Sequence, residues 1–214
     1  MIILGALARR LRLSGWLGLL ALVFCLSATG SDTRKTVLVV GDSISAAYGM
    51  QLEQGWVSLL SARLAAEKPA YRVVNASISG ETSGGGLRRL PGLLTNHTPH
   101  IVVIELGGND GLRGYPISQL RENLKKLVTL SEQAQARVLL LPMEIPPNFG
   151  KFYTDAFRAS FVDAVEGTGA TLAEFPLSSV ALDASLMQSD GIHPTAEAQP
   201  LILESVWRHL EDLL

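Results

Sequence analysis

Cysteine is almost missing from the chain. The one cysteine, Cys25, lies in the first 30 residues, so the remainder has no disulfide, no thiol chemistry and no zinc–thiolate site. Aromatic residues make up only 6%, too few for the stacking platforms that hold single-stranded nucleic acid. No basic stripe is present and the formal net charge is −2, which argues against a polyanionic partner such as nucleic acid. There is no internal repeat, no low-complexity tract and no linker-like stretch. With 47% hydrophobic and 18% charged residues over 214 positions, the composition is that of a folded chain with a core large enough for one domain.

No apolar run is long enough to span a bilayer comfortably. Leu13 to Leu26 is mostly apolar over 14 residues, against the roughly 20 that a spanning helix needs. Arg9, Arg10 and Arg12 precede it, and Ser27-Ala28-Thr29-Gly30 follows, with Ala28 and Gly30 at the −3 and −1 positions of a cleavage site. This is the pattern of a secretory signal peptide over residues 1–30. A retained anchor is the rival reading. A lipid anchor on Cys25 is disfavoured by the bulky Phe24 before it. Cleavage would leave residues 31–214, with 15 basic against 20 acidic side chains and a net charge of −5. The expected product is exported, periplasmic or secreted, with no stable membrane anchor, acting as a monomer.

Within residues 31–214 apolar, β-rich runs alternate with helical patterns. Strands are expected at 36–40, 71–76, 101–106, 138–141 and 171–175. Helices are expected at 55–67, 82–94, 117–134 and 153–166, with a last one capped by Thr195 and running to about 213. The second of these is weakened by Gly84, Gly85 and Gly86. Such alternation implies an α/β fold with a parallel sheet covered on both faces. In sheets of this kind ligands bind beyond the carboxyl ends of the strands.

Three polar or glycine-rich blocks begin at such ends: Gly41-Asp42-Ser43-Ile44-Ser45, Ser77 to Gly80, and Gly107-Gly108-Asn109-Asp110. A fourth, Asp190-Gly191-Ile192-His193-Pro194, lies near the chain's far end. Ser43 at the mouth of a helical turn is a candidate nucleophile, although a serine in that position is more commonly just a cap. His193 is the histidine set in a glycine- and proline-bounded loop beside an acid, three residues after Asp190. That acid is placed to accept from the imidazole and fix its tautomer. Of the other histidines, His97 and His100 flank the loop before the third strand, and His209 falls on the last helix. The Ser43 N–H, the Gly80 N–H and the Asn109 amide are candidate donors to an oxyanion. Taken singly, Gly80 reads as a turn glycine and Asn109 as a turn-capping asparagine. Asp190 and His193 would supply only two of the ligands a metal needs, so no metal site is expected.

Together with Asn75-Ala76-Ser77-Ile78-Ser79-Gly80-Glu81-Thr82-Ser83 and Glu105-Leu106-Gly107-Gly108-Asn109-Asp110-Gly111-Leu112-Arg113-Gly114, these blocks resemble the four sequence blocks of the SGNH/GDSL hydrolases. The similarity extends to the exported bacterial branch with thioesterase, lysophospholipase and arylesterase activities, over about residues 36–210. The resemblance implies a flavodoxin-like three-layer αβα fold around a parallel five-stranded sheet. It implies Ser43 as nucleophile, His193 as general acid/base, Asp190 as its orienting partner, and Ser43, Gly80 and Asn109 as the oxyanion hole. Leu112, Tyr115, Ile145 and Pro146 would contact the acyl group, with the loop from Gly111 to Tyr115 closing over it. The substrates would be small esters, acyl thioesters and lysophospholipids, with no cofactor. Glu81 and Glu144 depart from the pattern, which has aspartate and a basic residue there. Two rival functions are a deacetylase of sugar polymers on the same scaffold, disfavoured by the apolar Leu112, Ile145 and Pro146, and a non-catalytic exported binding module. A flavin carrier would leave the serine-centred set unexplained.

Overall fold

The computed structural model describes residues 33–214; the signal-like segment lies outside the described residues. Five strands form one parallel sheet: β1 (Lys35–Gly41), β2 (Tyr71–Asn75), β3 (Ile101–Glu105), β4 (Arg137–Leu140) and β5 (Thr171–Leu172), in the order β2-β1-β3-β4-β5. Val37 to Val40 and Ile101 to Ile104 are completely buried. That is why these central strands read as unbroken apolar runs instead of alternating ones.

The helices are α1 (Trp56–Glu67), α2 (Ser83–His97), α3 (Gly108–Leu112), α4 (Ile117–Gln133) and α5 (Lys151–Val165) between strands, and α6 (Gln199–Leu210) after β5. They pack in two groups, α1 with α6, and α2 with α4 and then α5, one on each side of the sheet. This is the arrangement that right-handed crossovers impose on this strand order. The α2 glycines weaken its helix propensity, and Gly86 serves packing. A Cβ on Gly86 would come within 2.3 Å of Leu106 Cδ1, so a larger residue there would have to push that methyl aside for α2 to lie this close to the sheet. Thr82 caps the helix by accepting from the Gly85 N–H at 3.1 Å.

Three local expectations change. Residues 108–112, read as loop, wind into the single helical turn α3. β5 shortens to two residues at the sheet edge. The last helix is not capped by the Thr195 hydroxyl: a 3₁₀ turn at Ala196–Ala198 leads into α6, and a second one follows at Glu211–Leu213. Pro200 in the first turn of α6 lacks an N–H that would have no partner there anyway. The start of α6 is fixed by a tertiary contact. Buried Gln199 accepts from the Trp56 N–H at 3.0 Å and donates to the Thr195 carbonyl at 3.1 Å.

The chain runs from β1 to β2 in one direction, then crosses back past β1 to β3. The carboxyl ends of β1 and β3 therefore flank the switch point of the sheet, where ligands of such folds bind.

Candidate active site

β1 leaves the sheet at Gly41, which lies opposite Glu105 in the β1–β3 register. The neighbours are close. A Cβ on Gly41 would lie 2.7 Å from Glu105 Oε2 and 2.7 Å from Ser45 Oγ, so glycine is required there by space. The next residues curl into a helical turn, with the Ala46 N–H donating to the Asp42 carbonyl and the Tyr48 N–H to that of Ser43. Ser43 thus sits at the mouth of a turn, 9% exposed.

The fourth block arrives from the other end of the chain. Residues 186–195 fold into a closed loop, in which Met187 and Pro194 pair, the Gln188 N–H donates to the His193 carbonyl at 2.7 Å, and the Thr195 N–H donates to that of Leu186 at 2.8 Å. Inside it Asp190 Oδ1 accepts from the backbone N–H groups of Ile192 at 2.9 Å and His193 at 3.0 Å. Its other oxygen lies 2.7 Å from His193 Nδ1. These bonds, first the His193 backbone N–H and then its ring, hold the Asp190 carboxyl down at about 2. An ionised Asp190 places the imidazole proton on Nδ1 and leaves Nε2 as an acceptor. Nε2 lies 2.9 Å from Ser43 Oγ. Serine, histidine and aspartate are therefore in hydrogen-bonding order across a sequence separation of 150 residues.

Two residues that the sequence reading passed over hold the loops together. Gln188 Nε2 donates to the Tyr48 carbonyl at 2.8 Å and to the Pro194 carbonyl at 3.0 Å, tying the histidine loop to the serine turn. The Tyr48 ring lies against the His193 ring, with centroids 4.3 Å apart. No sequence pattern marks either residue, because each acts on a partner brought near only by folding.

Asn109 sits in the first turn of α3 and donates through Nδ2 to Asp42 Oδ2 at 3.0 Å. Gly80 has a φ of +77°. It lies where the chain after β2 still runs beside β1, through the bond from the Ile78 N–H to the Gly41 carbonyl. The Gly80 carbonyl accepts from Arg113 Nη2 at 3.0 Å. Among the described residues neither the Ser43 N–H nor the Gly80 N–H donates to a protein acceptor.

A cavity of about 610 Å³ opens beside Ser43, Asn109 and His193, walled by Leu112, Met143, Ile145, Pro146, Leu177 and Met187. Three of the four residues expected to contact an acyl group, Leu112, Ile145 and Pro146, line it. Tyr115 does not; it lines a neighbouring crevice with Gly80 and Arg113. Glu144 and Arg158 also line the main cavity, paired at 2.7 Å.

The profile of the GDSL-like lipase/acylhydrolase family matches residues 39–200. The esterase TesA of Pseudomonas aeruginosa is 50% identical over 206 residues, covering 96% of this chain and 100% of that protein. The thioesterase 1/protease 1/lysophospholipase L1 of Escherichia coli K12 is 40% identical over 179 residues, 84% of this chain and 85% of that protein. Among solved structures, the psychrotrophic esterase EstA of Pseudoalteromonas sp., inhibited by monoethylphosphonate, superposes with a TM-score of 0.80 at 46% identity, covering 84% of this chain and 98% of that one. A parallel sheet with a serine at the end of its first strand, and a match spanning most of the chain, lead to one assignment: this chain belongs to the GDSL-like lipase/acylhydrolase family.

Proposed function

We propose that the protein hydrolyses carboxylic esters and thioesters through an acyl-enzyme on Ser43. The observation that carries this reading is the unbroken chain from Ser43 Oγ through His193 to Asp190, at 2.9 and 2.7 Å. His193 Nε2 takes the hydroxyl proton as Oγ attacks the carbonyl carbon. The carbonyl π pair moves onto oxygen, and the oxyanion is held by the Ser43 N–H, the Gly80 N–H and the Asn109 amide. Collapse expels the alcohol or thiol, which leaves with the proton from His193. Water then repeats the sequence on the acyl-enzyme and releases the acid. Asp190 stays ionised throughout and stabilises the imidazolium that forms twice per turnover.

The apolar cavity supports an acyl chain as the recognised group, since each methylene buried is worth about 0.8 kcal/mol. Sugar polymers would find few polar partners on Leu112, Ile145 and Pro146. The E. coli relative's name covers thioester and lysophospholipid chemistry, and both fit a site that grips the acyl half and leaves the leaving group to solvent. The phosphonate that inhibits EstA mimics the tetrahedral intermediate of a serine nucleophile, and Ser43 is the group it would modify here.

The leader-like residues 1–30 support export, with esters or lysophospholipids outside the cytosol as the substrates. Cell fractionation with mass determination of the protein tests this; a cytosolic protein retaining residues 1–30 refutes it. A fluorophosphonate probe is expected to label Ser43 in the parent and not in Ser43→Ala. The same variant is expected to lose hydrolysis across a series of p-nitrophenyl esters, and an active Ser43→Ala would refute the mechanism.

A further inference from the structure

Behind the serine turn lies a carboxyl group that the mechanism above does not use. Glu105, the last residue of β3, is 1% exposed. Its Oε2 accepts from the Asp42 N–H at 3.1 Å and from Ser45 Oγ at 2.7 Å. Its Oε1 is buried with no hydrogen-bond partner among the described residues. Asp42, 2% exposed, stands between Glu105 and the site. Asp42 Oδ1 accepts from the Ile44 N–H at 3.1 Å, and Oδ2 accepts from Asn109 Nδ2 at 3.0 Å.

From this arrangement we infer that Glu105 is a positioning residue: acting through Asp42 and Ser45, it sets both the turn that presents Ser43 and the amide of Asn109 that faces the oxyanion. The inference rests on the acyl-enzyme reading, because it assigns Asn109 a task in the transition state.

The two carboxyls differ in their partners. Two buried carboxyl groups stand together. The titratable group facing Glu105 is Asp42, and beyond Asp42 stands His193; among the described residues no lysine or arginine bonds to either acid. Two like charges in such a site do not both ionise. Burial raises Asp42 as well, but an N–H donor on each of its oxygens offsets this and makes it the better anion of the two. Glu105 has one oxygen bare, and burial followed by the Asp42 charge pushes it well above the usual carboxylate range. A neutral Glu105 still accepts from Asp42 and Ser45. An ionised Asp42 is then a charge-strengthened acceptor for the Asn109 amide, fixing its direction before substrate arrives.

The requirement is thus an acceptor of this shape, not a charge, and that separates positioning from mere filling of the core. Glu105→Leu fills the space without accepting; Glu105→Gln accepts without charge. In the folded fraction, counted by fluorophosphonate titration, Glu105→Leu is expected to lower kcat by roughly 10–100-fold with KM within about twofold. The loss falls on kcat because a misaimed oxyanion donor is felt in the transition state. Glu105→Gln is expected to restore kcat to within about threefold of the parent. A folded Glu105→Leu with parental kcat, or a Glu105→Gln as impaired as Glu105→Leu, overturns the inference. Should Glu105→Leu fail to fold, Asp42→Asn decides. It keeps the backbone bond to Glu105, but its single carbonyl oxygen cannot accept from both the Ile44 N–H and the Asn109 amide, so the same kcat loss at constant KM is expected, and an unchanged kcat overturns the inference. A parent that neither labels nor hydrolyses esters would instead refute the acyl-enzyme reading itself.

Discussion

Replacing Asp190 by asparagine tests the site more sharply than removing it. Asp190 Oδ1 is committed to two backbone N–H groups, those of Ile192 and His193. An asparagine keeps the loop only by placing its carbonyl oxygen there. Its NH₂ must then face His193 Nδ1, which at present lies 2.7 Å from a carboxylate oxygen. A donor at that point makes Nδ1 an acceptor and moves the imidazole proton to Nε2, where it faces Ser43 Oγ. Nε2 then has no lone pair with which to take the serine proton, and the stabilising anion is gone as well. The expected loss in kcat is about 10³–10⁴-fold, or roughly 4–5.5 kcal/mol at about 1.36 kcal/mol per decade. KM should change little, because the acyl cavity is untouched. The melting temperature should stay close to that of the parent, because both loop bonds survive. Steady-state hydrolysis of a medium-chain p-nitrophenyl ester measures the loss, and the imidazole nitrogen shifts in an NMR spectrum report the tautomer. A folded Asp190→Asn with kcat within tenfold of the parent would refute the assigned proton path.

Gln188→Ala removes the side-chain bonds to the Tyr48 and Pro194 carbonyls. It is expected to cost about 1–3 kcal/mol of stability in urea titration and about tenfold in kcat, since the histidine loop loses its tie to the serine turn; parental kcat would show the tie to be dispensable. Leu112→Trp places a larger side chain on the cavity wall. Each methylene kept out forfeits about 0.8 kcal/mol, so excluding two lowers kcat/KM roughly 15-fold for long-chain esters while sparing acetate, and a uniform loss along the series would move the acyl site elsewhere. Asp190 sits at about 2 against a usual 3.8, so its contribution to stability is present above about pH 4 and is lost as the pH falls toward 2. The gap in melting temperature between the parent and Asp190→Ala should narrow over that interval, modestly because the side chain is 40% exposed; a constant gap would contradict the assigned bonds.

The sequence carried what short range fixes. Val37 to Val40 and Ile101 to Ile104 announced buried parallel strands because they are apolar on both faces. The spacing of Asp190 and His193 announced their bond because three residues in a tight loop bring the two side chains together. α3 was hidden by its glycines, whose helix propensity is poor. Thr195 looked like a cap on propensity alone, but the helix start was decided by Gln199 reaching the Trp56 N–H, a partner 143 residues away.

The amino-acid order alone therefore determined the layered architecture, the serine, the acid–histidine pair and the family. Only the folded chain decided that Glu105 stands behind Asp42, that Gln188 ties the histidine loop to the serine turn, and that Tyr115 faces a different crevice from Leu112. The physical reason is distance along the chain. Periodicity and turn chemistry act over a few residues, whereas the contacts that aim a side chain join positions 63, 67 and 140 residues apart. Those contacts exist only once strand register has brought Gly41 beside Glu105.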